Sequence, residues 1–162
     1  MVRAGGVVLS AALLLCGCSS GPREVEGTRP TDDAALSTCK ELIDKLPDSV
    51  AGLESIELSN GDGWAAAWGD PAIVLRCGVP ESPALVPASQ CIAVNDVDWF
   101  PTQGGAEADL SNLSDATVDM TTVGRSVNVE VSVPAKWQPP GDALLAVADA
   151  ISATTDAVDP CL

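Results

Sequence analysis

Residues 64–80, W-A-A-A-W-G-D-P-A-I-V-L-R-C-G-V-P, constrain the fold of this chain more than any other stretch. They hold two of its four tryptophans and one of its six cysteines. Gly69-Asp70-Pro71 specify a turn, because proline lacks the donor that a central ladder needs and aspartate readily bonds its own backbone. The pattern then alternates. Ala72, Val74 and Arg76 fall on one side and Ile73, Leu75 and Cys77 on the other, which predicts a strand. The segment is expected to form the central hairpin of a sheet.

Other segments take their places around it. Thr31, Asp32 and Asp33 supply capping and dipole-favourable groups for a helix with Leu36, Cys39, Ile43 and Leu46 on one stripe, stopped by Pro47. Residues 53–58 alternate as a strand, and Asn60-Gly61-Asp62-Gly63 turn the chain into Trp64. Residues 80–87 are proline-rich and read as a loop. Asn95-Asp96, two residues that tolerate left-handed backbone angles, predict a tight hairpin turn between residues 91–94 and 97–100. Residues 104–114 have no period and read as a mobile loop. A Gly124-Arg125 turn would pair Thr122 with Val127, Met120 with Val129 and Val118 with Val131 on one face, leaving Asp119 opposite Glu130 on the solvent face. Pro139-Pro140-Gly141-Asp142 start a second helix with Leu144, Val147, Ala148 and Ile151 along one side. The predicted fold class is α+β, an antiparallel sheet of six or seven short strands with an N-terminal and a C-terminal helix packed on one face.

At the N-terminus, Met1-Val2-Arg3 precede an apolar run over residues 4–15, shorter than the roughly 20 residues that span a bilayer. The run ends in Leu15-Cys16-Gly17-Cys18, which resembles a bacterial lipobox. Cys18 offers the thiol for a diacylglyceryl thioether, with a small residue before it and an apolar residue further upstream; Cys16 would have Leu15 at the cleavage position and fails. The expected organisation is a signal peptide over 1–17, a flexible tether over 18–30 and a single domain over 31–162. That domain is large enough for one hydrophobic core. Membrane attachment is then expected through a lipid anchor at the extracytoplasmic face.

With Cys16 removed and Cys18 lipidated, Cys39, Cys77, Cys91 and Cys161 remain, an even number suited to disulfides in an oxidising compartment. Three pairings exist. The favoured one joins Cys77 to Cys91 across the proline-rich excursion and Cys39 to Cys161 across the domain ends. The chain has no C-x-x-C pair and no histidine, which argues against a zinc site or a thioredoxin-like motif. Twenty-three acidic against eight basic residues give a formal charge of −15, a surface that repels nucleic acid and anionic lipid headgroups.

The string A-A-W-G-D-P-A-I-V-L-R-C-G-V over residues 66–79, then Val97-Asp98-Trp99-Phe100, then Gly124-Arg125 before a valine-alternating strand ending at Pro134, resembles an actinobacterial lipoprotein family of unknown function, domain-of-unknown-function family 3515. The similarity covers about residues 39–151. It implies an envelope location and carries no activity.

Chemistry must be sought without histidine, tyrosine or a free thiol. Asp96, Asp98 and Asp70 are available as carboxylates for an enzyme acting on cell-wall material, but turn and surface roles explain all three. The segments 60–63 and 95–98 offer oxygen ligands without matching a calcium loop. No cofactor, metal or catalysis is expected. Trp64, Trp68 and Trp99 can stack a sugar or peptide, with Trp64 and Trp68 on a common strand face, although burial in the core accounts for them too. Arg76 is a cation in an apolar strand and needs a partner, Asp98 before Asp70; in the alternative, Arg76 and Arg125 together hold an anionic ligand. The function expected is a lipid-anchored binding or accessory module whose partner is an envelope protein or cell-wall fragment.

Overall fold

The computed structural model describes Met1 and residues 22–161. The expected signal peptide and the expected lipidation site, Cys18, lie outside the described residues.

Helix α1, Asp33–Lys45, starts where Asp32 accepts a hydrogen bond from the Ala35 amide at 2.8 Å. It ends with a Glu41–Lys45 pair one turn apart, just before Pro47, as the capping residues required. Cys39 and Leu42 are its fully buried residues, with Ile43 and Leu46 packed at the margin of the core. Strands β1 (Ser49–Val50) and β2 (Leu53–Ile56) form a short hairpin, followed by β3 (Ala65–Trp68) and β4 (Ile73–Cys77). Gly69-Asp70-Pro71 does turn the chain between β3 and β4, with Gly69 at φ 74° and a cis Asp70–Pro71 bond. Strands β5 (Ile92–Val94) and β6 (Val97–Gln103) meet at Asn95-Asp96, both left-handed, in the two-residue hairpin expected. The stretch expected to be an irregular loop contains β7, Ala106–Glu107, folded back on β6 through Gly104-Gly105. Strands β8 (Val118–Thr122) and β9 (Val129–Val133) and helix α2 (Gly141–Thr154) complete the chain.

The nine strands described pair antiparallel throughout, in the order β1-β2-β3-β4-β9-β8-β6-β5 with β7 beside β6. The fold is therefore α+β as expected, with nine strands among the described residues rather than six or seven. β4 lies in the middle of the sheet, and its Ile73, Leu75 and Cys77 face the helices, out of phase with Val74 and Arg76. On the same helix side stand Val129, Val131 and Val133, Val118 and Met120, and Val97 and Trp99. α2 covers them with Ala143, Leu144, Val147, Ala148 and Ile151.

Four further features depart from expectation. The first is the disulfide pattern, which is Cys39–Cys77 and Cys91–Cys161. Cys77 and Cys91 are near in sequence but end and precede strands four places apart in the sheet, roughly 19 Å at one strand spacing per step. Cys77 instead faces inward against α1, where Cys39 waits at a Cα–Cα distance of 5.5 Å. Second, β8 and β9 pair two residues out of the expected register: Met120 lies opposite Val131 and Val118 opposite Val133, while Asp119 faces Ser132 and Glu130 faces Thr121. A two-residue slip preserves the faces, so every valine still points inward. The longer connection receives the C-terminal tail: the Gly124 carbonyl accepts from the Val158 and Asp159 amides, and the Ser126 amide donates to Asp156. A side chain on Gly124 would collide with the Asp159 carbonyl.

Third, residues 22–30 are not a free tether. Arg23 forms a parallel bridge with Leu58, the Asn60 carboxamide both donates to the Val25 carbonyl and accepts from its amide, and Val25 is buried beside Trp64. Pro30 fills the space over Gly78. Fourth, Trp64 and Trp68 do not share a face. Trp64 precedes β3 in a tight turn that breaks the alternation, and it packs with Val25 and Ala65, whereas Trp68 belongs to the main core.

Candidate functional site

The sheet face away from the helices carries the chemistry. Strand pairing aligns two neighbouring rows there: Arg76, Glu130, Thr121 and Phe100 in one, and Val74, Ser132, Asp119 and Thr102 in the other. Side chains opposite one another in a ladder are in contact distance, so the rows form one polar floor.

Arg76 is its hub. Its Nη2 pairs with Glu130 Oε1 and lies 3.5 Å from Ser132 Oγ, while Nη1 donates to the Glu26 carbonyl at 3.0 Å. Glu130 Oε2 is 3.4 Å from the Thr121 hydroxyl, and Ser132 donates to Asp119 at 2.5 Å. Arg76 Nε is buried with no partner among the described residues. The expected partners are elsewhere: Asp70 pairs with Arg23 at 2.8 Å in the exposed β3–β4 turn, and Asp98 accepts from the Cys161 amide at 3.1 Å. Strand order explains the change, since β4 lies against β9 while β6 is two strands further on.

A cleft of about 400 Å³ opens above this floor. Gly27 and Thr28 form one wall, residues 79–83 another, and Gly105 closes one end. Trp64 contributes to the wall but is nearly covered; its indole donates to the Asn60 carbonyl at 2.7 Å.

The remaining candidates are not brought to the cleft. Trp68 donates to the Pro47 carbonyl from within the core, and Trp99 is sealed beneath the helices, its indole nitrogen without a partner among the described residues. Arg125 is the more deeply buried arginine, 8% exposed. It closes the C-terminus of α2, donating from Nε to Thr155 Oγ1 and from Nη2 to the Thr155 and Ile151 carbonyls. Burial pushes its pKa down, and Asp156 and Asp98 partly restore it. This is a cation placed on the negative end of a helix dipole, a structural role. Replacing Arg125 with methionine is expected to cost about 2 to 3 kcal/mol by uncapping those carbonyls; urea unfolding with a loss under about 0.5 kcal/mol would contradict that role.

Asp119, Glu130 and Ser132 escaped sequence reasoning because alternation marked them only as the solvent side of a hairpin, and Thr102 because the strand expected over residues 97–100 in fact runs on to Gln103. The available signal was their common phase with Arg76. Asp96 stands in a turn and Asp98 under the tail, so the carboxylate pair considered from sequence is not assembled. Among the described residues, no three His, Cys, Asp or Glu side chains are grouped to hold a metal ion.

Residues 2–160 match the profile of a family described as "Protein of unknown function (DUF3515)". No curated protein and no solved structure matches the chain.

Proposed function

The chain belongs to the DUF3515 family of proteins of unknown function, and on that premise we propose that it is a lipid-anchored, non-catalytic binding or accessory module of the extracytoplasmic envelope, with the cleft as its ligand site. The observation that carries the reading is the cleft floor: the charged residues Arg76, Glu130 and Asp119, linked through Ser132, laid on a helix-free sheet face and walled by the segment that comes after the proposed anchor. Export is supported by two disulfides, which persist in oxidising compartments. Among the described residues no helix is long and apolar enough to cross a membrane; the proposed attachment is the lipid on Cys18.

The packing of residues 23–30 adds a geometric consequence. Five peptide steps separate Cys18 from Arg23, which already lies on the sheet, so the domain would stand within about 18 Å of its anchor. The cleft would then face ligands close to the membrane surface.

A small enzyme acting on cell-wall material is the alternative, favoured by Asp119 and Glu130 sharing one cleft. Against it, Glu130 is committed to Arg76 and Asp119 to Ser132. Neither is held as a free acid beside a free base, the arrangement general acid–base chemistry uses.

Two measurements test the proposal. Metabolic labelling with a fatty-acid analogue is expected to mark the wild type and to be lost, with release from the membrane fraction, in Cys18→Ala; retained label would refute the anchor. A photo-crosslinker at Ser82 on the cleft rim should capture an envelope component in intact cells. The same probe at Leu145, exposed on α2, should not. Equal capture from both positions would count against the cleft.

A further inference from the structure

We infer that the cleft selects a protonated primary amine on a short aliphatic stem, either a free amine or a lysine-like side chain; the inference rests on the cleft being the binding site.

Charge balance points to a cation. Arg76 and Glu130 neutralise each other, which leaves Asp119 on the floor and Glu81 on the rim as uncompensated negative groups. The hydrogen-bonding balance agrees. Glu26, Glu130 and Ser132 hold three of the five Arg76 N–H groups and a fourth, on Nε, is buried away from solvent, so little of the guanidinium is left to offer an anion. Acceptors remain. Asp119 uses one oxygen for Ser132 and has another open. Thr102, only 7% exposed, lies opposite Asp119 in the ladder and lines the cleft, and its hydroxyl has no partner among the described residues.

An ammonium carries three donors and no acceptor, so it satisfies such a set and cancels its charge. A carboxylate or phosphate would meet net repulsion there. The walls suit the rest of such a ligand: Val79, Pro80 and Pro83 present rigid apolar surface to a hydrocarbon stem.

The test uses the full-length, isotope-labelled protein in neutral detergent micelles, titrated with cadaverine, with Nα-acetyl-lysine methylamide and with 1,5-pentanediol, the uncharged counterpart of cadaverine. Saturable amide shifts are expected at Glu81, Thr102, Asp119 and Thr121 with both amines and not with the diol. If cadaverine acts and the blocked lysine does not, the source is a free amine rather than a side chain. Asp119→Asn should weaken amine binding about tenfold, and Glu81→Gln, on the exposed rim and without effect on folding, should weaken it several-fold. Asp44→Asn on α1 should leave it unchanged.

The diol saturating the same residues as strongly as cadaverine would overturn the inference while leaving the cleft as a binding site for neutral ligands. Shifts spread over the whole acidic surface, or weakened equally by Asp44→Asn, would reduce the effect to general charge attraction and overturn it. No saturable shift at the cleft with any probe would overturn the inference and remove support from the cleft as well.

Discussion

Replacing Cys39 and Cys77 together by alanine is expected to destabilise the protein by about 4 kcal/mol, the chain-entropy value for a closed loop of 38 residues. That corresponds to a fall in Tm of roughly 12 to 16 °C at this chain length. The bond ties α1 to the central strand, and both sulfurs are sealed in the core, so its loss also leaves a small packing defect. The Cys91–Cys161 bond spans 70 residues, and loop entropy alone would rank it slightly higher. A smaller effect is nevertheless expected for Cys91→Ala with Cys161→Ala, because the released tail gains freedom in the folded state too. Both of its cysteines are half-buried, so a mild reductant should open this bond first. Peptide mapping under non-reducing conditions that joined Cys77 to Cys91 would refute the whole scheme.

The second large effect concerns Arg76 and Glu130. Breaking a buried ion pair by removing one partner typically costs about 3 to 5 kcal/mol. Here the side chains are 23% and 18% exposed, which lets water reach the stranded charge. Arg76→Met is therefore expected to cost about 2 to 3 kcal/mol. Glu130→Gln should cost less, since an amide still accepts from the guanidinium. Combining Arg76→Met with Glu130→Leu should recover much of the loss, giving a coupling of about 1.5 kcal/mol in a double-mutant cycle. Asp98→Asn should show no coupling to Arg76. Additive Arg76 and Glu130 variants, or coupling to Asp98 instead, would refute the assignment of the pair. If Arg76→Met also abolished amine binding while Glu130→Leu with Arg76→Met did not restore it, the two residues would be shown to shape the site as well as to stabilise it.

What was legible in the residues was local. The cap at Asp32, the left-handed Asn95-Asp96 turn, the Gly69-Asp70-Pro71 turn and the two-residue alternation of Ile73, Leu75 and Cys77 each depend on neighbours within a few positions, and all appear in the structure. Face assignment survived even where pairing did not, because a slip of two residues between β8 and β9 returns every side chain to its own side. For the same reason the hydrophobic pattern could not choose between the two registers. That choice fell to the C-terminal tail, which occupies Gly124 and Ser126 and lengthens the connection.

The site depended wholly on such non-local decisions. Arg76 announced that a cation in an apolar strand needs a partner, but the partner followed from β9 rather than β6 lying next to β4. Cys39 and Cys77 were both visibly inward-facing, yet only the docking of α1 brought them together. Residues 22–30 lack any apolar period, so composition marked them as tether; a single valine, a proline and the carboxamide of Asn60 hold them down instead. Which side of each element faces the core is written along the chain, in periods of two and 3.6. Which polar groups meet across the other face is not, because strand order and the path of the two chain ends set those distances, and neither leaves a periodic trace.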